Sequence, residues 1–148
     1  MRTLRDALGG AALEFALILP LLIFIVAGII EFGLALYDKA VITNASREGA
    51  RTGIVFRMDP STGERNPLTV DEIEERVNGY LGGNPLISPG GVSPAIEVPE
   101  ICVESGDEIS VKVSYMYQFI LVPDFGKVFG KIIPGAVPIT AETVMRCE

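Results

Sequence analysis

A run of apolar residues near the N-terminus constrains this chain more than anything else in it. From Ala11 to Tyr37 there are 27 residues and only two charges, Glu14 and Glu31. Phe15 to Ile30 carries none. A helix of that length spans about 40 Å, more than the roughly 30 Å hydrocarbon core of a bilayer. Backbone polar groups find no water in hydrocarbon, so a single segment crosses it as a helix. We read the run as a membrane-spanning helix with a carboxylate, Glu14, placed just inside it.

Arg2 and Arg5 precede the run, with Asp6 against them. A short basic segment before an apolar run stays in the cytoplasm and sends the C-terminus out. A secretory signal fits poorly. The run is longer than a signal-peptide core, and no small-x-small cleavage site follows before Tyr37. The net charge of −7 offers no basic patch to neutralise phosphates, which argues against nucleic-acid binding. The chain has no His and no Trp, and so lacks the usual general base and the commonest zinc ligand. It shows no nucleophile–base pair, phosphate loop or metal-ligand spacing. We expect no enzyme activity, no catalytic residue, no metal and no cofactor.

Beyond Tyr37 the composition is that of a soluble domain. Pro20 lacks an N–H and crowds the carbonyl of Ala16, which predicts a kink or loosened turn. The helical pattern continues to Phe56, with Val41, Ala45, Thr52 and Val55 as a modest apolar face. One helix is expected from about residue 10 to the mid-fifties. Gly49 and Gly53 weaken it by roughly 1 kcal/mol each relative to Ala, and permit close packing. Residues 58–67 read as a loop. Thr69 with Glu72 three residues on predicts a capping box. A short helix follows, with Ile73, Val77 and Leu81 as its buried stripe and Gly82-Gly83 at its end. Residues 84–94 are rich in turn formers. Strands are expected over 95–104, 108–119 and 137–146, with Ser105-Gly106-Asp107 as a turn and a long connection over 122–134. Ile109, Val111, Val113, Tyr115, Tyr117 and Phe119 take one face of the middle strand. The fold class is α+β: a long N-terminal transmembrane α-helix extends into a small antiparallel β-sheet head with one short helix. The upper half of the long helix and the short helix are the available covers for one sheet face.

Several residues invite a chemical reading. Glu14 is costly in the span unless paired, by a few kcal/mol, or else snorkels into headgroups at the cytoplasmic edge. Glu31 lies about 25 Å further along the helix, where simple solvation at the outer interface accounts for it. Glu48 and Arg51, three apart, are spaced to pair, with Arg47 beside them on a solvated or sheet-packing face. Asp71, Glu72, Glu74 and Glu75 suit a helix start and lack EF-hand spacing. Cys102 and Cys147 form a disulfide if the head is extracytoplasmic and the first and last strands lie close; two buried thiols are the alternative.

The segment Gly9-Gly10-Ala-Ala-Leu-Glu14-Phe15 resembles the class III signal of type IV prepilins: a short basic leader ending in Gly, then Glu fifth and an aromatic sixth in the mature chain. A cut between Gly9 and Gly10 satisfies that count. Glu31-Phe-Gly-Leu-Ala-Leu-Tyr37, then Thr43-Asn-Ala-Ser-Arg-Glu-Gly-Ala-Arg51, and the close Val144-Met-Arg-Cys-Glu148, resemble the TadE-like minor pilins (pseudopilins) of the tight-adherence, or Tad, pilus. The resemblance is strongest over residues 9–56. It implies a leader at 1–9, a transmembrane helix at 10–37, an extracytoplasmic extension at 38–56 and a pilin-like head at 57–148. It implies cleavage at Gly9 and Gly10 by a prepilin peptidase, and an assembly role for Glu14 and Phe15. It also implies the inner (cytoplasmic) membrane as location, and other pilins or pseudopilins and the Tad assembly platform as partners. From another class comes a single-pass anchor whose periplasmic domain binds a partner without entering a filament.

Overall fold

In the computed structural model residues 2–88, 93–121 and 136–147 are described. The long helix α1 runs from Arg2 to Gly53 without interruption, with Pro20 inside it. It therefore starts well before residue 10, because nothing in Arg2–Gly9 breaks a helix that the apolar run has already nucleated. It is about 78 Å long at 1.5 Å per residue. The next pieces are β1 (Arg57–Met58), β2 (Arg65–Asn66), α2 (Val70–Gly83), β3 (Ala95–Glu100), β4 (Glu108–Gln118) and β5 (Ala136–Arg146).

The region read as a loop over 58–67 contains a small hairpin. Arg57 and Met58 pair with Asn66 and Arg65. Asp59 turns the chain by accepting hydrogen bonds from Ser61 N and Oγ, and Gly63 takes the left-handed φ of 72°. Two residues per strand leave almost no periodicity to read. Helix α2 starts as expected: Thr69 Oγ1 accepts from Glu72 N, and Glu72 Oε2 accepts from Thr69 N. Its Ile73 and Val77 are fully buried.

The sheet is an antiparallel meander ordered β3-β4-β5. β4 is central, and pairs with β5 along its whole length from Glu108↔Arg146 to Gln118↔Ala136. Strand β3 is shorter than its alternation predicts. Its register shifts between Glu97 and Glu100, where Pro99 cannot donate to the ladder, and Val103 ends up exposed. The alternation of β4 is read correctly, since Ile109, Val111, Val113, Tyr115 and Tyr117 are all buried. The connection expected over 122–134 lies outside the described residues.

The buried face of α1 includes Val41 and Ala45 as expected but is broader than the face read from the sequence. Val55 is exposed, and the covered residues are Glu31, Asp38, Val41, Ile42, Ala45, Ser46, Gly49, Ala50 and Gly53. These recur at spacings of three, four and seven, which is one helical stripe. A search for apolar side chains recovers it only in part, because half its members are polar or glycine. The glycines let α1 approach the sheet. A Cβ on Gly49 would lie 2.5 Å from Val77 Cγ2 and 3.2 Å from Val111 Cγ1, and one on Gly53 would collide with Ile109 Cδ1.

β4 lies back along α1 in the opposite direction. Its start meets the C-terminal end of α1 at Gly53, and its end meets Glu31. Glu31 to Gly53 is about 33 Å of helix, and Ile109 to Ile120 about 37 Å of strand, so the two are matched in length. The sheet thus extends back to Glu31, at the end of the bare apolar span.

Candidate assembly and anchoring site

Two parts of α1 carry the candidate residues. The first is the stretch from Gly10 to Ile30, which the head leaves largely uncovered. Leu13, Phe15, Leu17 and Ile18 each expose over 60 % of their surface. Glu14 is exposed beside them. The Gly9–Gly10 peptide is part of the helix, and a Cβ at Gly10 would meet nothing within 4 Å. Among the described residues nothing is brought to Glu14 or Phe15 by folding. An apolar cylinder this long needs lipid or other protein around it.

The second part is the junction where the head grips the helix. Glu31 is 3 % exposed. Its Oε1 accepts from Tyr117 Oη at 2.6 Å and from Ile120 N at 2.9 Å, and its Oε2 accepts from Leu121 N at 2.6 Å. The expectation of simple solvation is therefore corrected. β4 ends over this turn of α1, and a strand end has backbone donors left over once its ladder stops. The carboxylate satisfies two of them. Burial, then the hydrogen bond and charge of Glu31, push the Tyr117 phenol well above its ordinary value, so it remains a donor.

Two helical turns on, on the same face, the fully buried Asp38 repeats the arrangement. Its Oδ1 accepts from Ile87 N at 2.8 Å and its Oδ2 from Ser88 N at 3.1 Å. Ser88 ties the two sites together. Its Oγ donates to the carbonyl of Gln118, its carbonyl accepts from Tyr115 Oη, and its Oγ accepts from Gln118 N. Higher on α1, Ser46 Oγ and Thr143 Oγ1 lie 2.8 Å apart, and Lys39 Nζ donates to the carbonyl of Thr140. Among the described residues no buried side-chain nitrogen or oxygen lacks a partner.

Glu48 pairs with Arg76 of α2 at 2.7 Å rather than with Arg51, because α2 packs across that turn of α1. Glu72 of the acidic cluster caps its own helix and meets Arg57 at 2.6 Å. Cys102 and Cys147 are joined by a disulfide, with Cα atoms 5.8 Å apart. β3 and β5 are not neighbours, so the bond passes the start of β4. Gly106 N donates to the Cys147 carbonyl and Cys147 N to the Asp107 carbonyl, which closes that end of the sheet.

Sequence reasoning singled out Glu14 and Phe15, read Glu31 as simply solvated and gave Asp38 no role. The available signal was two carboxylates seven apart on the face that also carries Gly49 and Gly53.

A bare apolar helix end fused to an α+β head that grips its other end fits a single-pass membrane anchor. Among the described residues one helix is long and apolar enough to cross a membrane. Residues 9–51, which all lie within α1, match the family model described as TadE-like protein. No curated protein and no solved structure matches the chain.

Proposed function

We propose that the chain is a TadE-like pseudopilin, a minor pilin that takes part in assembling a Tad-type IV pilus for surface adhesion, biofilm formation or secretion. One observation carries the reading. The family match begins at Gly9, and the Gly9–Gly10 pair, Glu14 and Phe15 all lie on the end of α1 that the head leaves bare.

In this reading a prepilin peptidase of the inner membrane cuts between Gly9 and Gly10. The bond lies in a helix and must be locally unwound. Two glycines there lower the helix's resistance by about 1 kcal/mol each. The cut frees an α-amine on Gly10. In low dielectric that amine and the Glu14 carboxylate of a neighbouring subunit attract far more strongly than in water. The pairing offsets the cost of a carboxylate in the span and sets the axial register between subunits. Phe15 adds an apolar contact. The subunit crosses the inner membrane once, with the leader in the cytoplasm and the head outside. It is a structural subunit rather than an enzyme and uses no cofactor. Its partners are other pilins or pseudopilins, the peptidase and the Tad assembly platform.

Intact-mass analysis of the protein from its native membrane tests this directly. The mature chain should begin at Gly10. A chain still beginning at Met1 in cells with active peptidase removes the pilin reading and leaves the single-pass anchor with a partner-binding head.

A further inference from the structure

Between α1 and the lower ends of β4 and β5 lies an apolar crevice of about 370 Å³. Gly28, Phe32 and Ala35 of α1 form one wall, and Phe119, Val137 and Ile139 the other. Phe119 is held edge-on against Tyr117, with ring centroids 5.7 Å apart. The charged residue in the lining, Glu31, already has its carboxylate engaged by Tyr117 Oη and the N–H groups of Ile120 and Leu121. Apolar cavities of about 150 Å³ stay dry and take up small apolar molecules, so a larger open one of this lining favours an apolar occupant over water.

Two observations choose the occupant. Ala11 to Ile30 is 20 residues, about 30 Å, and matches one hydrocarbon core. The crevice begins at Phe24, inside that core, and continues the exposed surface of Ile25, Val26 and Ile29. Its lining includes Ile139, and the next residue, Thr140, accepts a hydrogen bond from the Lys39 ammonium through its carbonyl. An apolar slot open at hydrocarbon depth, with a cation at its outer rim, matches a phospholipid: chain below, phosphate above.

We propose that this crevice holds an acyl chain of a phospholipid in the leaflet on the head's side of the membrane. The head is then seated on lipid as well as on α1. This rests on the membrane-spanning reading, and the experiment separates the two. The chain has no Trp, so one introduced indole reports alone. Full-length protein is reconstituted into phosphatidylcholine vesicles whose acyl chains are brominated, and tryptophan quenching is measured for three variants. Leu21→Trp reports the span, Val137→Trp the crevice and Val144→Trp the exposed sheet face. The proposal expects Val137→Trp to be quenched as fully as Leu21→Trp, and Val144→Trp not at all. Adding Gly28→Phe, which fills open space in the crevice, should abolish quenching of Val137→Trp and spare Leu21→Trp. Ile139→Trp is the second crevice reporter where Val137→Trp fails to fold. Quenching of Leu21→Trp without Val137→Trp overturns the proposal and leaves the span intact. A blue emission then assigns the crevice to protein, such as a second copy, and a red one to water. Absence of quenching in both overturns the span and the crevice together.

Discussion

Glu31 shows how one residue's role depends on what folds onto it. Among the described residues its carboxylate takes three donors, two of them main-chain N–H groups just past the end of β4. Each donor left unsatisfied costs about 1–3 kcal/mol. Glu31→Leu should therefore destabilise the head by about 3 kcal/mol or more, read as a lower thermal midpoint by circular dichroism in detergent micelles. An unchanged midpoint would show that the carboxylate is not a structural acceptor. The glycines divide by the same logic. At Gly49 a methyl group gains helix propensity but meets the stiff, branched Val77 at 2.5 Å. Overpacking at about 1–3 kcal/mol exceeds the propensity gain of about 1 kcal/mol, so Gly49→Ala should be net destabilising. At Gly79 a Cβ meets nothing within 4 Å. Gly79→Ala should stabilise by about 1 kcal/mol, and the two variants shift the midpoint in opposite directions.

Among the elements, α2 was the most readable. Its cap, stripe and Gly-Gly end are all local, and Thr69 and Glu72 cap it as the spacing predicts. Thr69→Ala should cost about 1 kcal/mol. The hydrogen bonds from Thr69 N and Thr69 Oγ1, then the Arg57 charge, hold Glu72 below its ordinary value of 4.5. A depressed carboxylate stabilises the fold above that value, and the contribution is lost as pH falls through the lower folded value. Acid titration of the midpoint should be shallower in Thr69→Ala. The sheet's far end depends on Cys102–Cys147, which closes a separation of 45 residues. The chain-entropy relation gives roughly 4 kcal/mol for a loop of that size. Reduction, or Cys102→Ser with Cys147→Ser, should lower stability on that scale, measured by urea unfolding with and without reductant. The hairpin β1–β2 was not legible, since two-residue strands carry no period. β3 was overread because alternation continues past the bulge at Pro99.

At the scale of the whole molecule, α1 is divided by what surrounds it. Its stretch from Gly10 to Ile23 is exposed throughout, and above Ile30 one stripe is pressed into the head. We expect Glu14→Ala to be processed normally while pilus number falls, counted by electron microscopy of surface filaments. Normal pilus number in that variant would withdraw Glu14 from assembly. Because β4 runs back along α1 to Glu31, the head is held by carboxylate contacts at the end of the apolar span and by glycine packing about 33 Å away.

The sequence by itself determined the long helix, its apolar span, the α2 cap and the inward face of β4. Each is a periodic or nearest-neighbour effect, visible within a window of a few turns. The tertiary structure decided the full extent of the covered face of α1, because that face is chosen by fit to β4 and β5, whose residues lie over 50 positions further along the chain. It also decided that Glu31 and Asp38 hold the head. A carboxylate's role depends on the donors that reach it, and here those donors are the unpaired N–H groups of chain segments that meet α1 only once the sheet has formed.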